Sequence, residues 1–434
     1  MIKKSENGMN NILKSKIKDL FNTGFFYILG SSFLNKIIAF ITNAVLTRIL
    51  TKEEMGIFSG AFNAYFIVYL FSGLGITSGM LYFCAKDKEW AEKNSYYNFS
   101  FWFGMISEVI LSAILVFYGL YNKSGILESR KYMVGLAILP FVSFFFDYYS
   151  IILRAEKDNK HYSIISNLNT VFYLIFGVLG ALFGRIWGTI IGRYLAFIVS
   201  DIIGHCFCKQ YVNFHKSNKL GYEKTKDLVK YSLKAGLTSS LNVILYRLDV
   251  TVIDLVLADA SILAAYKIGT TLPENMNFIP QCFMIYFMPL FLQHIKEQEW
   301  IKKKTKEVYL VIGAVSIVLG LIMYLFAPII ISIIWGKQYL DAVPCFRILT
   351  ISFVLLSIFR ITSTNLLLTL KRAGYTTIVS IITGIANIVL DVIFTIKYGS
   401  IGAAYATLIV TILASVMSFP YAIYIIYSGK QKYE

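Results

Sequence analysis

VYLVIGAVSIVLGLIMYLFAPIIISIIW, residues Val308–Trp335, runs for 28 positions without a charged side chain. About 20 apolar residues suffice for a helix to cross the hydrocarbon core of a bilayer, so this stretch reads as a membrane span. Eleven similar runs flank it. They lie near Phe25–Thr47, Gly56–Phe83, Phe99–Leu120, Tyr132–Leu153, Ser163–Phe183, Trp187–Phe207, Val229–Leu257, Ile262–Leu292, Cys345–Leu370, Tyr375–Lys397 and Ile401–Tyr427. The composition agrees: 57% of the 434 residues are hydrophobic and only 15% are charged, and the mean hydropathy is +0.63. Soluble chains carry roughly 25% charged residues, so the reading is an all-α integral membrane protein of about twelve transmembrane helices.

The net charge of +16 would suit a nucleic-acid binder if it were clustered on a polar chain. With the N-terminus placed inside, 26 of the 41 Lys and Arg residues fall on inner segments, 8 on outer loops and 7 within spans. That asymmetry places both termini in the cytoplasm and assigns the charge to the inner face, beside anionic lipid. No nucleic-acid partner is needed. All five tryptophans (Trp90, Trp102, Trp187, Trp300, Trp335) sit near span ends, as interfacial aromatics do. Residues 1–24 lack the apolar core of a signal peptide. Ile12, Leu13, Ile17, Leu20 and Phe21 instead share one helical face, which suits an amphipathic helix on the cytoplasmic leaflet. Residues 209–228 form the longest polar connection. The expected organisation is therefore a six-helix bundle over 25–208, a cytoplasmic linker over 209–228, a second bundle over 229–427 and a cytoplasmic tail over 428–434.

The halves echo each other at offsets near 210 residues. Gly188 and Gly402 each open a span, Gly56-Ile-Phe58 resembles Ala264-Ala-Tyr266, and Arg154-Ala155 recurs as Arg372-Ala373 with Ser-Ile-Ile following. An even number of spans in each half makes the implied repeat a parallel one.

Catalytic and nucleotide motifs are absent, so no catalytic residue and no cofactor are assigned. Gly73-Leu-Gly75-Ile-Thr-Ser78-Gly79 nearly matches a dinucleotide fingerprint. It lies inside an apolar span, where small residues serve close helix packing. His205, Cys206, Cys208 and His215 resemble a metal cluster, but Cys206 and Cys208 point about 200° apart on a helix, so no metal site is assigned. The five cysteines show no disulfide framework.

Ionisable side chains deep in spans are costly and usually face a cavity or a partner. Five cations lie deep: Lys36, Arg193, Arg247, Lys267 and Arg360. So do seven acids: Glu108, Asp147, Asp201, Asp249, Asp254, Glu274 and Asp391. Arg193 with Asp201, and Arg247 with Asp254, share helical faces and could pair structurally. Alternatively, the cations line a polar cavity suited to phosphate or pyrophosphate. Lys36 shares a stripe with Asn43, Lys267 with Thr271 and Glu274, and Arg360 with Ser357 and Thr364. Pro273, Pro280 and Pro289 would bend the eighth span around such a cavity. Asp249, Asp254 and Glu274 are candidates for binding a coupling ion, H⁺ or Na⁺.

Thr47-Arg-Ile-Leu-Thr-Lys-Glu-Glu54-Met-Gly56-Ile-Phe58 with Gly73-Leu-Gly75 resembles the first-to-second-span signature of polysaccharide (Wzx-like) flippases of the multidrug/oligosaccharidyl-lipid/polysaccharide exporter superfamily. Tyr246-Arg-Leu-Asp249, Gly336-Lys-Gln-Tyr339-Leu-Asp341-Ala342 and Tyr398-Gly-Ser-Ile-Gly402-Ala-Ala404 extend the likeness over the whole chain; Ala264 departs from the family's more usual glycine. The resemblance implies two pseudo-symmetric six-helix bundles around a V-shaped central cavity that opens alternately to the two leaflets. It implies undecaprenyl-pyrophosphate-linked oligosaccharide as cargo, moved from the inner to the outer leaflet of the bacterial cytoplasmic membrane for O-antigen or capsule assembly. Membrane lipids, a polysaccharide polymerase and a chain-length regulator are the implied partners. By location on the corresponding spans, Arg247, Lys267, Lys36, Arg193 and Arg360 would hold the pyrophosphate or acidic sugars. A cation-coupled drug exporter of the same superfamily is the alternative, with acids rather than cations in the cavity. A glycan polymerase or ligase would be an enzyme and would need a larger outer loop.

Overall fold

The computed structural model describes residues 25–85, 89–214, 219–294 and 297–428. The amphipathic helix expected within residues 1–24 and the tail after 428 lie outside them. Every regular element among the described residues is helical. In chain order they are α1 (Phe25–Ile49), α2 (Lys52–Tyr69), α3 (Ile76–Cys84), α4 (Trp90–Tyr121), α5 (Arg130–Gly135), α6 (Leu139–Ala155), α7 (Asn159–Cys208), α8 (Tyr222–Arg247), α9 (Asp249–Leu257), α10 (Ala260–Met276), α11 (Phe278–Gln293), α12 (Gln298–Leu325), α13 (Ala327–Ile334), α14 (Val343–Leu355), α15 (Thr362–Thr369) and α16 (Ala373–Ser428). Among the described residues six helical stretches are long and apolar enough to cross a membrane, seven if the bent pair α5–α6 counts as one span. The chain is a multi-pass membrane protein.

Two helices are too long to be single spans. α7 turns at Arg185 (φ 52°, ψ −131°) and α16 at Gly399 (φ 65°, ψ −148°). Divided there, and with the short helices joined to their neighbours, the described residues form twelve successive helical segments. Each sharp turn is followed three residues on by a glycine that lets two backbones touch. A Cβ on Gly188 would lie 1.8 Å from the Gly180 carbonyl oxygen, and one on Gly402 would lie 2.0 Å from that of Phe394. No side chain fits at either place, which is why both spans open with glycine.

The internal repeat is present in the backbone. The α1–α2 corner has Leu50 N–H on Leu46 C=O and Met55 N–H on Thr51 C=O; the α9–α10 corner has Ala258 N–H on Asp254 C=O and Leu263 N–H on Asp259 C=O. That spacing is 208. At the end of the fourth span the spacing is 214. Lys157 (φ 61°) and Lys371 (φ 58°) end their helices in the left-handed conformation. The N–H of the next residue closes a 6→1 bond at 2.8 Å in both cases, Asp158 to Leu153 and Arg372 to Leu367. Arg185 and Gly399 also differ by 214. Arg154-Ala155 therefore corresponds to Leu368-Thr369 and not to Arg372-Ala373. The shared dipeptide is a coincidence four residues out of register.

Two compact units emerge. Unit 1 holds residues 1–50, 64–122 and 129–240; unit 2 holds 51–63, 123–128 and 241–434. By residue membership the first turns of α2 fall in unit 2 and the first two-thirds of α8 in unit 1. In unit 1, Ser31 bonds Asn167 (2.7 Å) and Asn35 bonds Ser166 (2.8 Å), joining α1 to α7. The Gly73–Gly79 segment packs as its small residues foretell. A Cβ on Gly75 would lie 2.4 Å from the Ser232 carbonyl oxygen, and one on Gly79 would lie 2.0 Å from the Ser232 hydroxyl.

Candidate functional site

Unit 2 contains a cavity of about 480 Å³ walled by α10, α14, α15 and α16. Its shape starts with proline. Pro280 has no N–H to give and its ring crowds the carbonyl four residues back, so the eighth span breaks between Met276 and Phe278. Around this break Thr270, Pro273, Glu274, Asn277 and Gln281 line the cavity. The side-chain oxygen of Asn277 is buried and has no hydrogen-bond partner.

Across the cavity, Leu356–Ile361 widens into a π-turn between α14 and α15. The Thr362 hydroxyl donates to the Ser357 carbonyl five residues back (2.9 Å), satisfying an acceptor that the wider turn exposes. Such bulges re-aim side chains. Here Arg360 lies half-buried in the bulge and lines the cavity with Thr364 and Asn365. Asp249 opens α9 and also lines it, its carboxylate accepting the Tyr266 hydroxyl at 2.7 Å. The cavity is thus edged by one guanidinium and two carboxylates among amides and hydroxyls.

A second buried acid adjoins it. Asn387, on the cavity wall, donates to Asp391 at 2.9 Å one turn along α16. The other Asp391 oxygen has no partner, and neither does the hydroxyl of Thr395 one turn further; both residues are fully buried. Asp391 and Asp249 lie close enough to repel each other. The sequence reading lists Asp391 among the deep acids but gives it no role. The signal was Asn387-x₃-Asp391-x₃-Thr395, three polar groups at a spacing of four on an otherwise apolar helix.

The other expected cations are not among the described residues lining this cavity. Lys267 is half-buried in α10 and is not among the residues lining this cavity. Arg247 ends α8, and its side chain lies outside the described residues. Lys36 and Arg193 belong to unit 1. Lys36 is exposed on α1. Arg193 donates to Asn169 (3.3 Å) and lies over the rings of Phe197 (4.1 Å) and Tyr173 (4.7 Å) rather than closing onto Asp201. Nearby, Tyr69 donates to Asp147 at 2.7 Å. Among the described residues no group of three or more His, Cys, Asp or Glu side chains is arranged to hold a metal ion.

Asp254 stands apart from Asp249. Its carboxylate accepts the buried Ile126 N–H at 3.0 Å, and Gly60 and Gly125 (φ 77°) leave room for it. It therefore anchors residues 123–128 within unit 2. Asp254→Ala leaves that N–H without this acceptor, an expected local cost of about 1–3 kcal/mol, read as faster amide exchange at Ile126.

Comparison with known proteins fits this architecture. A family model described as polysaccharide biosynthesis protein matches residues 21–291. No curated protein matches. Among solved structures the chain is similar to an inward-facing multidrug resistance MATE family transporter of the MOP superfamily (TM-score 0.73, 14% identity, covering 92% of this chain and 96% of that one). It is also similar to the lipid II flippase MurJ in an inward closed conformation (TM-score 0.68, 15% identity, 93% and 87% covered). A third is a MOP superfamily transporter from Pyrococcus furiosus whose binding pocket is described as reversed in polarity (TM-score 0.57, 15% identity, 94% and 95% covered). At these identities the likeness is one of fold. The fold is the one these transporters and this flippase share. The chain, with its MOP-superfamily fold, belongs to the polysaccharide biosynthesis protein family.

Proposed function

We propose that this protein flips undecaprenyl-pyrophosphate-linked oligosaccharide repeat units from the inner to the outer leaflet of the bacterial cytoplasmic membrane by alternating access, with both termini cytoplasmic. The observation that carries the reading is a cavity in which one arginine stands among many neutral hydrogen-bonding side chains, in a chain of the polysaccharide biosynthesis family. Arg360 suits a phosphate oxygen or an acidic sugar. Asn277, Gln281, Asn365 and Ser380 suit sugar hydroxyls. A solved relative in fold is named a lipid II flippase, which supports a lipid-linked cargo. Lys36, Arg193, Arg247 and Lys267 are proposed as further contacts for the anionic headgroup, and a polymerase with its chain-length regulator as what takes up the cargo.

Coupling to an ion gradient is proposed at Asp249 and Asp391. Two buried carboxylates, one of them (Asp391) with an unpartnered oxygen, suit H⁺ or Na⁺, and Asn387, Thr395 and Tyr266 are neutral groups beside them. Glu274, exposed on the cavity wall, is a further candidate. Asp254, held by the 123–128 segment, is a weaker one.

A drug-exporter reading has one specific observation in its favour, the two acids in the cavity. A strain lacking the protein separates the two. The flippase reading expects lipid-linked repeat units to accumulate on the inner leaflet and surface polymer to disappear. Intact polymer and unchanged lipid pools, together with sensitivity to cationic drugs, would establish the exporter. In the purified protein, Arg360→Gln is expected to weaken binding of the pyrophosphate-linked glycan about tenfold or more, measured by titration in nanodiscs. A cationic drug would bind no worse to that variant.

A further inference from the structure

The second span does not cross unit 1 as a continuous helix. Between α2 and α3 the backbone passes through three consecutive left-handed residues, Gly73 (φ 58°), Leu74 (φ 50°) and Gly75 (φ 78°). Such a turn frees backbone groups inside the membrane, where each must find a partner. Glu108 of α4 supplies one. A single carboxylate oxygen accepts both the Ser72 hydroxyl and the Gly73 N–H, each at 2.7 Å. Ser240 of α8 supplies another, its hydroxyl donating to the Leu70 carbonyl at 2.5 Å. Glu108 is fully buried, and its second oxygen has no partner. The turn is also strained, because Leu74 carries a Cβ into a conformation that favours glycine.

We propose that Glu108 is a positioning residue that holds the second span broken at Ser72–Gly75, and that breaking and re-forming this turn is a step of the transport cycle. Three features support it. The strained turn keeps only short backbone bonds of its own, such as Leu74 N–H on Phe71 C=O at 2.8 Å, and leans on side chains of two other helices, so losing one acceptor shifts its balance. The residues that accommodate it are small: a Cβ on Gly104 would lie 1.9 Å from the ring of Phe144, which also reaches Gly73. Finally, α2 starts in unit 2 and ends in unit 1, and α8 runs from unit 1 into unit 2. Leu70 to Ser240 thus ties together two helices that each pass from one unit to the other.

The proposal rests on alternating access but not on the cargo, and its readout needs no cargo. Lys219 of unit 1 and Lys303 of unit 2 are exposed and accept spin labels as Lys219→Cys and Lys303→Cys, in a background with the five native cysteines replaced. Distances are measured in lipid nanodiscs, with amide exchange over residues 70–76 alongside. Glu108→Leu removes both acceptor contacts, so the broken-turn population should fall at least tenfold, the label distances redistribute and the Gly73 N–H, taken back into the helical ladder, exchange more slowly. Glu108→Gln keeps the accepting oxygen and should restore the wild-type distribution, a rescue that general loss of packing would not give. Leu74→Gly relieves the strained residue and should shift the population the opposite way by about fivefold. Wild-type distances in folded Glu108→Leu would overturn the proposal. If that variant does not fold, unchanged distances in Leu74→Gly would do so.

Discussion

Gly188→Val is expected to remove most folded protein from the membrane, with a loss of at least about 3 kcal/mol in whatever folds. The cause is backbone, not side chain. Gly180 and Gly188 face each other across the Arg185 turn, and a Cβ on either would lie within 2.0 Å of the other's carbonyl oxygen. A flexible side chain could move aside; two helical backbones held by their own ladders cannot do so cheaply. Gly402→Val should behave alike, because its Cβ would lie 2.0 Å from the Phe394 carbonyl oxygen at the equivalent turn. Gly184→Ala is the control: it lies in the same turn with nothing within 4 Å of its Cβ, and should be neutral or stabilising by roughly 0.5 kcal/mol. Thermal unfolding in detergent, together with membrane yield, measures all three. Equal yields for Gly188→Val and Gly184→Ala would sink the account.

These glycines show what a sequence can carry. The twelve segments are legible because a bilayer admits only backbones that satisfy their own hydrogen bonds, so each long apolar run has one outcome. Gly188 and Gly402 are legible as a repeated pair, since close approach needs the same residue twice. Arg185 is not, because a left-handed arginine looks like any outer-loop cation until the chain is seen to reverse there, its guanidinium donating to the Ile49 carbonyl at 2.7 Å. The shift of the repeat from 208 to 214 residues is hidden for a similar reason. It is written in the hydrogen bonds of Lys157 and Lys371, while the residues that match by eye, Arg154-Ala155 and Arg372-Ala373, lie out of register.

The site was legible to the extent that charge is costly in a membrane. Arg360 and Asp249 stand out as deep charges and do line a cavity. Helical spacing then misleads for Arg193. An ideal face joins it to Asp201 eight residues on, yet the aromatic faces of Tyr173 and Phe197 and the amide of Asn169 are nearer partners. Nor does spacing reveal that α9 packs on α16, which brings Asp249 to within electrostatic reach of an acid 142 positions away. Tertiary packing decides both.

That packing carries the last expected result. Asp391→Leu should abolish gradient-driven transport, by at least about a hundredfold, while leaving the protein folded. A buried carboxylate with one oxygen bonded to Asn387 and the other to nothing is a poor structural element, and replacing such a group with an apolar one is often neutral or stabilising. If the pocket exists to take up a cation, the wild type should instead gain stability from it. At a concentration about a hundred times the dissociation constant, that gain is about 2.7 kcal/mol. Unfolding curves recorded against Na⁺ at fixed ionic strength, with K⁺ as the counter-salt, should show the gain for the wild type and lose it in Asp391→Leu and Asp249→Leu. A stabilisation that ignores Na⁺ but follows pH would assign the site to a proton. Asp391→Leu that still transports at the wild-type rate under a gradient would remove coupling from this acid pair. Glu274 would then be the next carboxylate to test, since it shares the cavity wall with Arg360 and would meet the cargo and its ion together.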